Sequence, residues 1–295
     1  MKVLECVPNI SEGKDLAAVE QIVGEVRQYP AVRILNYSSD SDHNRSVLTY
    51  LGPPEAVLAA TKAMTLKALE LIDMRQQHGS HPRFGAVDVV PFIPIRNMVQ
   101  AEAVEIARQY GRFLGEQGVP VYFYEDAATQ PKRKNLATVR KGQYEALSAK
   151  LQEPGWIPDE GPAHFNPKSG ATATGARFPL IAFNVNLNTS DVTIAQRIAK
   201  SVRHVNGGFR YVKAMGLYLK SRNIAQVSMN LTNYTKTPLP LVLETVRMEA
   251  ARHGVSIAET EIIGAIPMGA MEEIMRHYVQ VHDFSLDRVI ESSLL

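Results

Sequence analysis

Cysteine occurs only once in the 295 residues, at Cys6. A single thiol excludes an intramolecular disulfide and a cysteine-based zinc centre. No stretch approaches the roughly 20 uncharged apolar residues that span a bilayer, so no membrane partner is expected. The apolar part of Met1–Pro8 is too short for a signal-peptide core, and a reducing, cytoplasmic location is expected. One-sided charge is lacking as well. A formal net charge of +2 is too small for bulk attraction to nucleic acid or acidic lipid. The Gly-x-Ser-x-Gly elbow of a hydrolase is absent. So are the glycine pattern of a dinucleotide loop and the Gly-Lys-Ser/Thr ending of a phosphate loop.

What is there is a globular composition, 45% hydrophobic and 21% charged. The length sits at the upper limit for one core, so two domains are expected, at 1–178 and 179–295. Both halves give the same order of elements. The first reads as a strand at 2–7, a helix at 16–28, strands at 32–37 and 46–51, a helix from Pro53-Pro54 to Met74, and a strand at 87–93. The second reads as a strand at 180–187, a helix at 191–204, strands at 211–219 and 226–232, a helix from Pro238 to Gly254, and a strand at 256–263. Prolines at both second-helix starts fit a first turn, where a missing N–H is tolerated. The expected fold class is therefore α/β (α+β), with two ferredoxin-like β-α-β-β-α-β subdomains, helices outside and sheets flanking a substrate cleft. Between the halves lie a helix at 101–117, a strand at 119–124 and a Gly- and Pro-rich stretch, 153–175, read as an ordered linking loop.

Nine residues concentrate reactive groups: His78-Gly79-Ser80-His81-Pro82-Arg83-Phe84-Gly85-Ala86. Gly79 and Pro82 stop a helix, which puts His81 on a tight loop before the β-branched run Val87–Ile93. An imidazole there suits a general base or acid at neutral pH; a loop histidine bonded only to backbone is the alternative. His78 and His81 are not aligned as a helical metal pair, and no third ligand cluster accompanies them, so no metal is expected. The turn Asp40-Ser41-Asp42-His43-Asn44-Arg45-Ser46 either orients an imidazole and clamps a carboxylate through Arg45, or is simply a polar turn.

Other stretches are read with their alternatives. Gly170-Ala171-Thr172-Ala173-Thr174-Gly175, followed by Arg177, is a candidate anion nest. Lys132-Arg133-Lys134 is a phosphate patch or a solvated helix start. Gly208–Lys213 echoes the aromatic strand of an RNA-recognition module, but it opens the second strand of its unit rather than the third. Along 180–188 the residues Asn184, Asn186 and Asn188 share one strand face with Ala182, and along 226–232 so do Gln226, Ser228, Asn230 and Thr232. This polar, uncharged face suits hydrogen bonds to a heterocycle or a carboxylate; a solvated face is the alternative. Local cations, namely Arg45, Arg83, Arg177 and Lys213, suit a substrate bearing carboxylates.

Glu5-Cys6-Val7-Pro8-Asn9-Ile10-Ser11-Glu12-Gly13 resembles the opening of the formiminotransferase domain of glutamate formiminotransferases. So do Asn44-Arg45-Ser46, Gly52–Val57, Leu71–Met74, His81-Pro82-Arg83, Asp88–Pro94, Val119–Tyr122, Gly170–Arg177, Ala182–Leu187 and Ala225–Leu231, in order along nearly the whole chain. The resemblance implies transfer of the formimino group of N-formimino-L-glutamate to N5 of tetrahydrofolate, a co-substrate, in histidine breakdown. It implies two related α/β subdomains around a substrate tunnel, a homodimer, and His81 as the catalytic histidine. It also implies folate contacts within Gly161–Gly170 and about Gly207–Gly216. The cyclodeaminase domain fused in animal homologues finds no room, so ring closure is expected of a separate enzyme.

The chain departs from the animal pattern in one place. Asn36-Tyr37-Ser38 stands where an Asp-Val-Asp precedes the Asn-Arg, which leaves Asp40 and Asp42 as the candidate carboxylates. The rival readings are a related folate transferase using 5-formyltetrahydrofolate or another donor, and a non-catalytic folate- or RNA-binding module.

Overall fold

The computed structural model describes every residue except 42, 80, 81, 221 and 295. The chain separates into two compact units, Met1–Arg177 and Phe178–Leu295.

The first unit opens with β1 (Val3–Cys6) and β2 (Asn9–Ile10), followed by α1 (Leu16–Arg27), β3 (Arg33–Asp40), β4 (Arg45–Gly52), α2 (Pro54–Leu71) and β5 (Val87–Arg96). It continues with α3 (Gln100–Glu116), β6 (Val121–Glu125), the short helices α4 (Leu136–Val139) and α5 (Leu147–Lys150), and β7 (Thr172–Ala176). β1 and β2 act as one strand interrupted at Pro8, which has no N–H to donate; both pieces pair with β4 and β5. Among the described residues the sheet runs β3-β4-β1/β2-β5-β7-β6, and its last two strands add in parallel to β5. Its first four strands keep the ferredoxin-like order, so this half is a ferredoxin-like unit extended by two strands.

Alternation sorts the side chains. Leu4, Cys6, Leu48 and Tyr50 join the core beneath α1, α2 and α3. On the other face Val89, Tyr122, Tyr124 and Ala173 pack with Val139, Leu147 and Leu151 of the α4–α5 segment. Helix starts follow local chemistry. Asp15 accepts from the N–H groups of Ala17 and Ala18 at 3.0 Å, while α2 starts at Pro54.

The second unit contains β8 (Ile181–Leu187), α6 (Val192–Val202), β9 (Val212–Leu219), β10 (Ile224–Leu231), α7 (Leu239–Arg252), β11 (Ile257–Ile263) and α8 (Met268–Tyr278). Its antiparallel sheet runs β11-β8-β10-β9, the ferredoxin-like order. Val185, Val227, Ile198 and Val246 belong to a core between this sheet and the helices α6 and α7.

Two expectations are corrected. The stretch 153–175 is not only a connection, because its end enters β7 between β5 and β6. Ala173, Gly175 and Ala176 hid that strand, since Ala and Gly are depleted in strands. Arg133 lies in neither a phosphate patch nor a solvated turn. It is 1% exposed, sits 2.7 Å from Asp159 and donates to the carbonyls of Gly155 and Ile157. Its guanidinium also faces the rings of Tyr122 and Trp156.

Candidate functional site

The loop between α2 and β5 is tied on both sides of residues 80 and 81. Before them, the buried Glu12 accepts from the N–H groups of Gly13, Lys14 and Asp15 through Oε1, and from Gln77 Nε2 at 2.8 Å through Oε2. Asn44, at φ +48°, accepts from Gly13 N–H at 2.9 Å and donates to Gln77. Lys14 donates to the His78 carbonyl at 3.0 Å. A Cβ at Gly79 would stand 2.2 Å from the His43 carbonyl, so only glycine lets the loop cross the β3–β4 turn this closely. After them, Arg83 receives a backbone bond from Tyr144, and Ser11 donates from Oγ to the Gly85 carbonyl. The predicted His81 and Asp42 lie outside the described residues.

A charged cluster lies beside this loop. Asn9 faces Val89 and Ile10 faces Val87, so Asp88 is the extra residue of a β-bulge, the kind of irregularity that re-aims a side chain. Asp88 is fully buried, and its Oδ2 takes both Arg45 Nη1 and, at 2.6 Å, Arg140 Nη2. Arg45 also donates to Asn9 Oδ1 through Nη2, at 2.8 Å, and Nε. Arg140 donates further to the Pro82 carbonyl. Burial, followed by the neighbouring Arg45 charge, pulls the Arg140 pKa down against the attraction of Asp88. Arg83 pairs with Glu145 at 2.5 Å and faces the Tyr144 ring. The arrangement is a set of cations held beside the loop, one of them bonded to the Pro82 carbonyl, and it is suited to holding an anionic substrate.

The remaining predicted residues of this unit divide. Asp40 engages His43 twice, accepting from its N–H at 2.9 Å and lying 2.8 Å from Nδ1. The stretch read as a candidate nest pairs its backbone as β7 between β5 and β6, and the buried Thr172 and Thr174 hydroxyls donate to the Val87 and Val90 carbonyls. Gly161 and Gly170 have φ values of +80° and +66°, where a side chain would be strained, and each backs onto neighbouring backbone. Burial raises the Glu5 and Tyr124 pKa values, and the charge of Arg177 offsets part of that rise.

In the second unit the register aligns three rows on the face away from α6 and α7. They are Leu217–Gln226–Asn186–Glu259, Met215–Ser228–Asn184–Glu261, and Lys213–Asn230–Ala182–Ile263. This face is therefore not uncharged. Glu261 accepts from Asn186 at 2.8 Å and Glu259 accepts from Asn186 at 2.9 Å, while Arg222 bridges both glutamates. Gln226 donates to Asn186 Oδ1 at 2.8 Å. The acids were missed because β11, read alone, gave no reason to place them opposite the amides. Lys213 and Asn230 are exposed. Gly216 belongs to the other face, where a Cβ would stand 2.3 Å from the Gln196 nitrogen of α6, so its role here is helix–sheet packing.

Two family models divide the chain between them. Residues 3–177 match the N-terminal subdomain of the formiminotransferase domain, and residues 182–292 match the formiminotransferase domain itself. The chain belongs to the formiminotransferase family. It is similar, at 46% identity over 100% of its length and 99% of the relative, to a glutamate formimidoyltransferase of Streptococcus pyogenes serotype M1. A like-named protein of Thermoplasma acidophilum is 42% identical over 100% of this chain and 98% of that one. Against a formimidoyltransferase-cyclodeaminase of Dictyostelium discoideum, 39% identical, the chain spans 56% of the relative.

Within this formiminotransferase fold, Asp88, Arg140, Glu12 and Gln77 are the site-forming residues that sequence reasoning passed over. Asp88 did carry a signal, a lone charge inside the run Val87–Ile93. Arg140 carried none, because its approach to Pro82 depends on how the α4–α5 segment folds over the sheet.

Proposed function

We propose that this protein is a glutamate formimidoyltransferase that moves the formimino group of N-formimino-L-glutamate to N5 of tetrahydrofolate. The observation that carries the reading is the end-to-end match, at 46% and 42% identity, to two relatives bearing that enzyme name. The loop anchored by Glu12, Asn44 and Gln77 beside the Arg45–Asp88–Arg140 cluster supports it.

N5 attacks the formimino carbon directly and forms a tetrahedral adduct. His81 accepts the proton that N5 loses and delivers it to the glutamate nitrogen. The bond from carbon to that nitrogen then breaks, and glutamate leaves with the proton while N5 keeps the formimino group. Arg45 and Arg83 neutralise substrate carboxylates and align the two reactants. The polar rows containing Asn184, Asn186, Gln226 and Ser228 serve the polar ring of the folate, and Lys213 an acidic group of either substrate. A homodimer working in the cytoplasm, with a separate cyclodeaminase closing the ring afterwards, completes the reading.

The test is glutamate release from purified protein given both substrates, with each omitted in turn. Release that requires both is the expected result. Release of a one-carbon group from 5-formyltetrahydrofolate alone would replace the reading by a different folate transferase.

A further inference from the structure

The Arg45–Asp88–Arg140 cluster does not close on itself as a structural ion triad would. Two guanidinium groups share a single oxygen of one carboxylate, which leaves the cluster with a formal excess of one positive charge. Among the described residues, Asp88 Oδ1 and Arg140 Nε are buried without a hydrogen-bond partner, and so is the nearby Arg83 Nε. Buried polar atoms are ordinarily paired, so the open Nε donors of Arg140 and Arg83 mark an arrangement that an acceptor completes, while Asp88 Oδ1, itself an acceptor, plays no part in that pairing. The arginines are not sealed in: their side chains are 13% and 16% exposed, whereas Asp88 is 0% exposed. Asp88 is thus buried at a strand bulge, and the two arginine side chains beside it keep some exposure.

We infer that Arg45 and Arg140 together receive the α-carboxylate of the amino-acid donor, with Asp88 as the positioning residue that holds them side by side. The inference rests on the function proposed above and adds to it Arg140, Asp88 and the choice of carboxylate. Planar guanidinium forks match a carboxylate geometrically, and two of them supply the charge that one anion balances. Both substrates contain glutamyl carboxylates, so proximity to the reacting atom selects between them. In the donor, the α-carboxylate is attached to the carbon that bears the leaving nitrogen. In tetrahydrofolate, a whole p-aminobenzoyl group separates the carboxylates from N5. Arg140 donates to the carbonyl of Pro82, the residue after His81, so this cation is fixed one peptide from the proton-transfer residue. That favours the carboxylate nearest the chemistry.

The experiment compares wild type with Arg140→Gln and Asp88→Asn, each checked for folding by its urea transition. Arg140→Gln should raise the KM for N-formimino-L-glutamate about 10–100-fold, the loss of one charged hydrogen bond. The KM for tetrahydrofolate should stay within about threefold of wild type. L-Isoglutamine, the α-amide, should inhibit wild type at least about tenfold more weakly than L-glutamine, the γ-amide, and Arg140→Gln should lose the distinction. Asp88→Asn should move the same donor constants while its arginines remain present, and if it does not fold Arg140→Gln decides alone. Unchanged donor constants in a folded Arg140→Gln would overturn the inference. So would a rise in the folate KM that disappears with tetrahydropteroate, which lacks the glutamate tail. Calorimetric binding of N-formyl-L-glutamate needs no turnover, and it should be tight in wild type and weakened in Arg140→Gln. If wild type releases no glutamate yet shows that difference, the enzymatic reading fails while the carboxylate receptor holds; if wild type does not bind the compound, the receptor fails.

Discussion

Arg140 Nη2 stands 2.6 Å from Asp88 Oδ2 and also donates to the Pro82 carbonyl. One side chain thereby joins the end of α4, the bulged start of β5 and the loop that precedes it. Removing one partner from a buried ion pair is costly, typically about 3–5 kcal/mol, because the other charge is left buried and unmatched. Pro82 is consequently held from the sheet side by Arg140, and Gln77 from the α1 side by the carboxylate of Glu12.

His81→Ala should lower kcat by about 10²–10⁴-fold, the usual contribution of a positioned proton carrier. Tetrahydrofolate binding, followed by fluorescence titration, should remain close to wild type. Turnover near the wild-type rate in this variant would remove His81 from the mechanism.

Gly216→Ala separates packing from ligand contact. The new methyl would meet the Gln196 nitrogen at 2.3 Å and the Ala195 carbonyl carbon at 2.6 Å, so α6 must move off β9. Overpacking of this sort costs typically about 1–3 kcal/mol. The urea midpoint should fall accordingly, with tetrahydrofolate affinity unchanged in the protein that remains folded. Lost affinity with an unchanged midpoint would return Gly216 to the folate site.

The contrast between Gly216 and Arg45 shows what a sequence displays and what it conceals. Local chemistry is legible: Asp15 caps α1, Pro54 opens α2, and alternation along β8 and β10 places Asn184, Asn186, Gln226 and Ser228 on one face. The repeated order of elements likewise marked both ferredoxin-like sets of strands. Long-range placement is not legible. Nothing in Thr172-Ala173-Thr174 indicates that its hydroxyls bond to β5 carbonyls 84 and 85 residues away in the chain. Glu259 and Glu261 meet the amides only because β11 pairs with β8, and Arg140 meets Asp88 only through a segment that crosses the sheet.

Cys6 should be inert in the native protein. It is fully buried between β4 and β5, and burial pushes its thiol pKa up to about 12, leaving almost no thiolate at neutral pH. An aromatic disulfide reagent should therefore label no thiol in native protein and one after denaturation. Fast labelling of native protein would contradict the burial.

Lys150 gives the fold a pH dependence whose sign follows from its surroundings. Its ammonium donates to the carbonyls of Val139 and Lys141 and lies 4.0 Å from the centre of the Trp156 ring. Burial is the main cause of a pKa lowered to about 8, and the charges of Arg133, Lys132 and Lys141 add to it against the opposing pull of Glu153. In an unfolded chain the same amine titrates near about 10.4. Between these values the unfolded state holds more protons than the folded one, so stability rises with pH across that interval. Below pH 8 the amine is charged in both states and the contribution is constant. Lys150→Met removes this titration while leaving every other group in place. The wild-type urea midpoint minus that of Lys150→Met should accordingly be flat from pH 6 to 7 and climb between pH 8 and 10. A difference that stays level throughout would mean that the ammonium loses no solvation on folding, and one that falls would mean that the carbonyls hold it in the charged form.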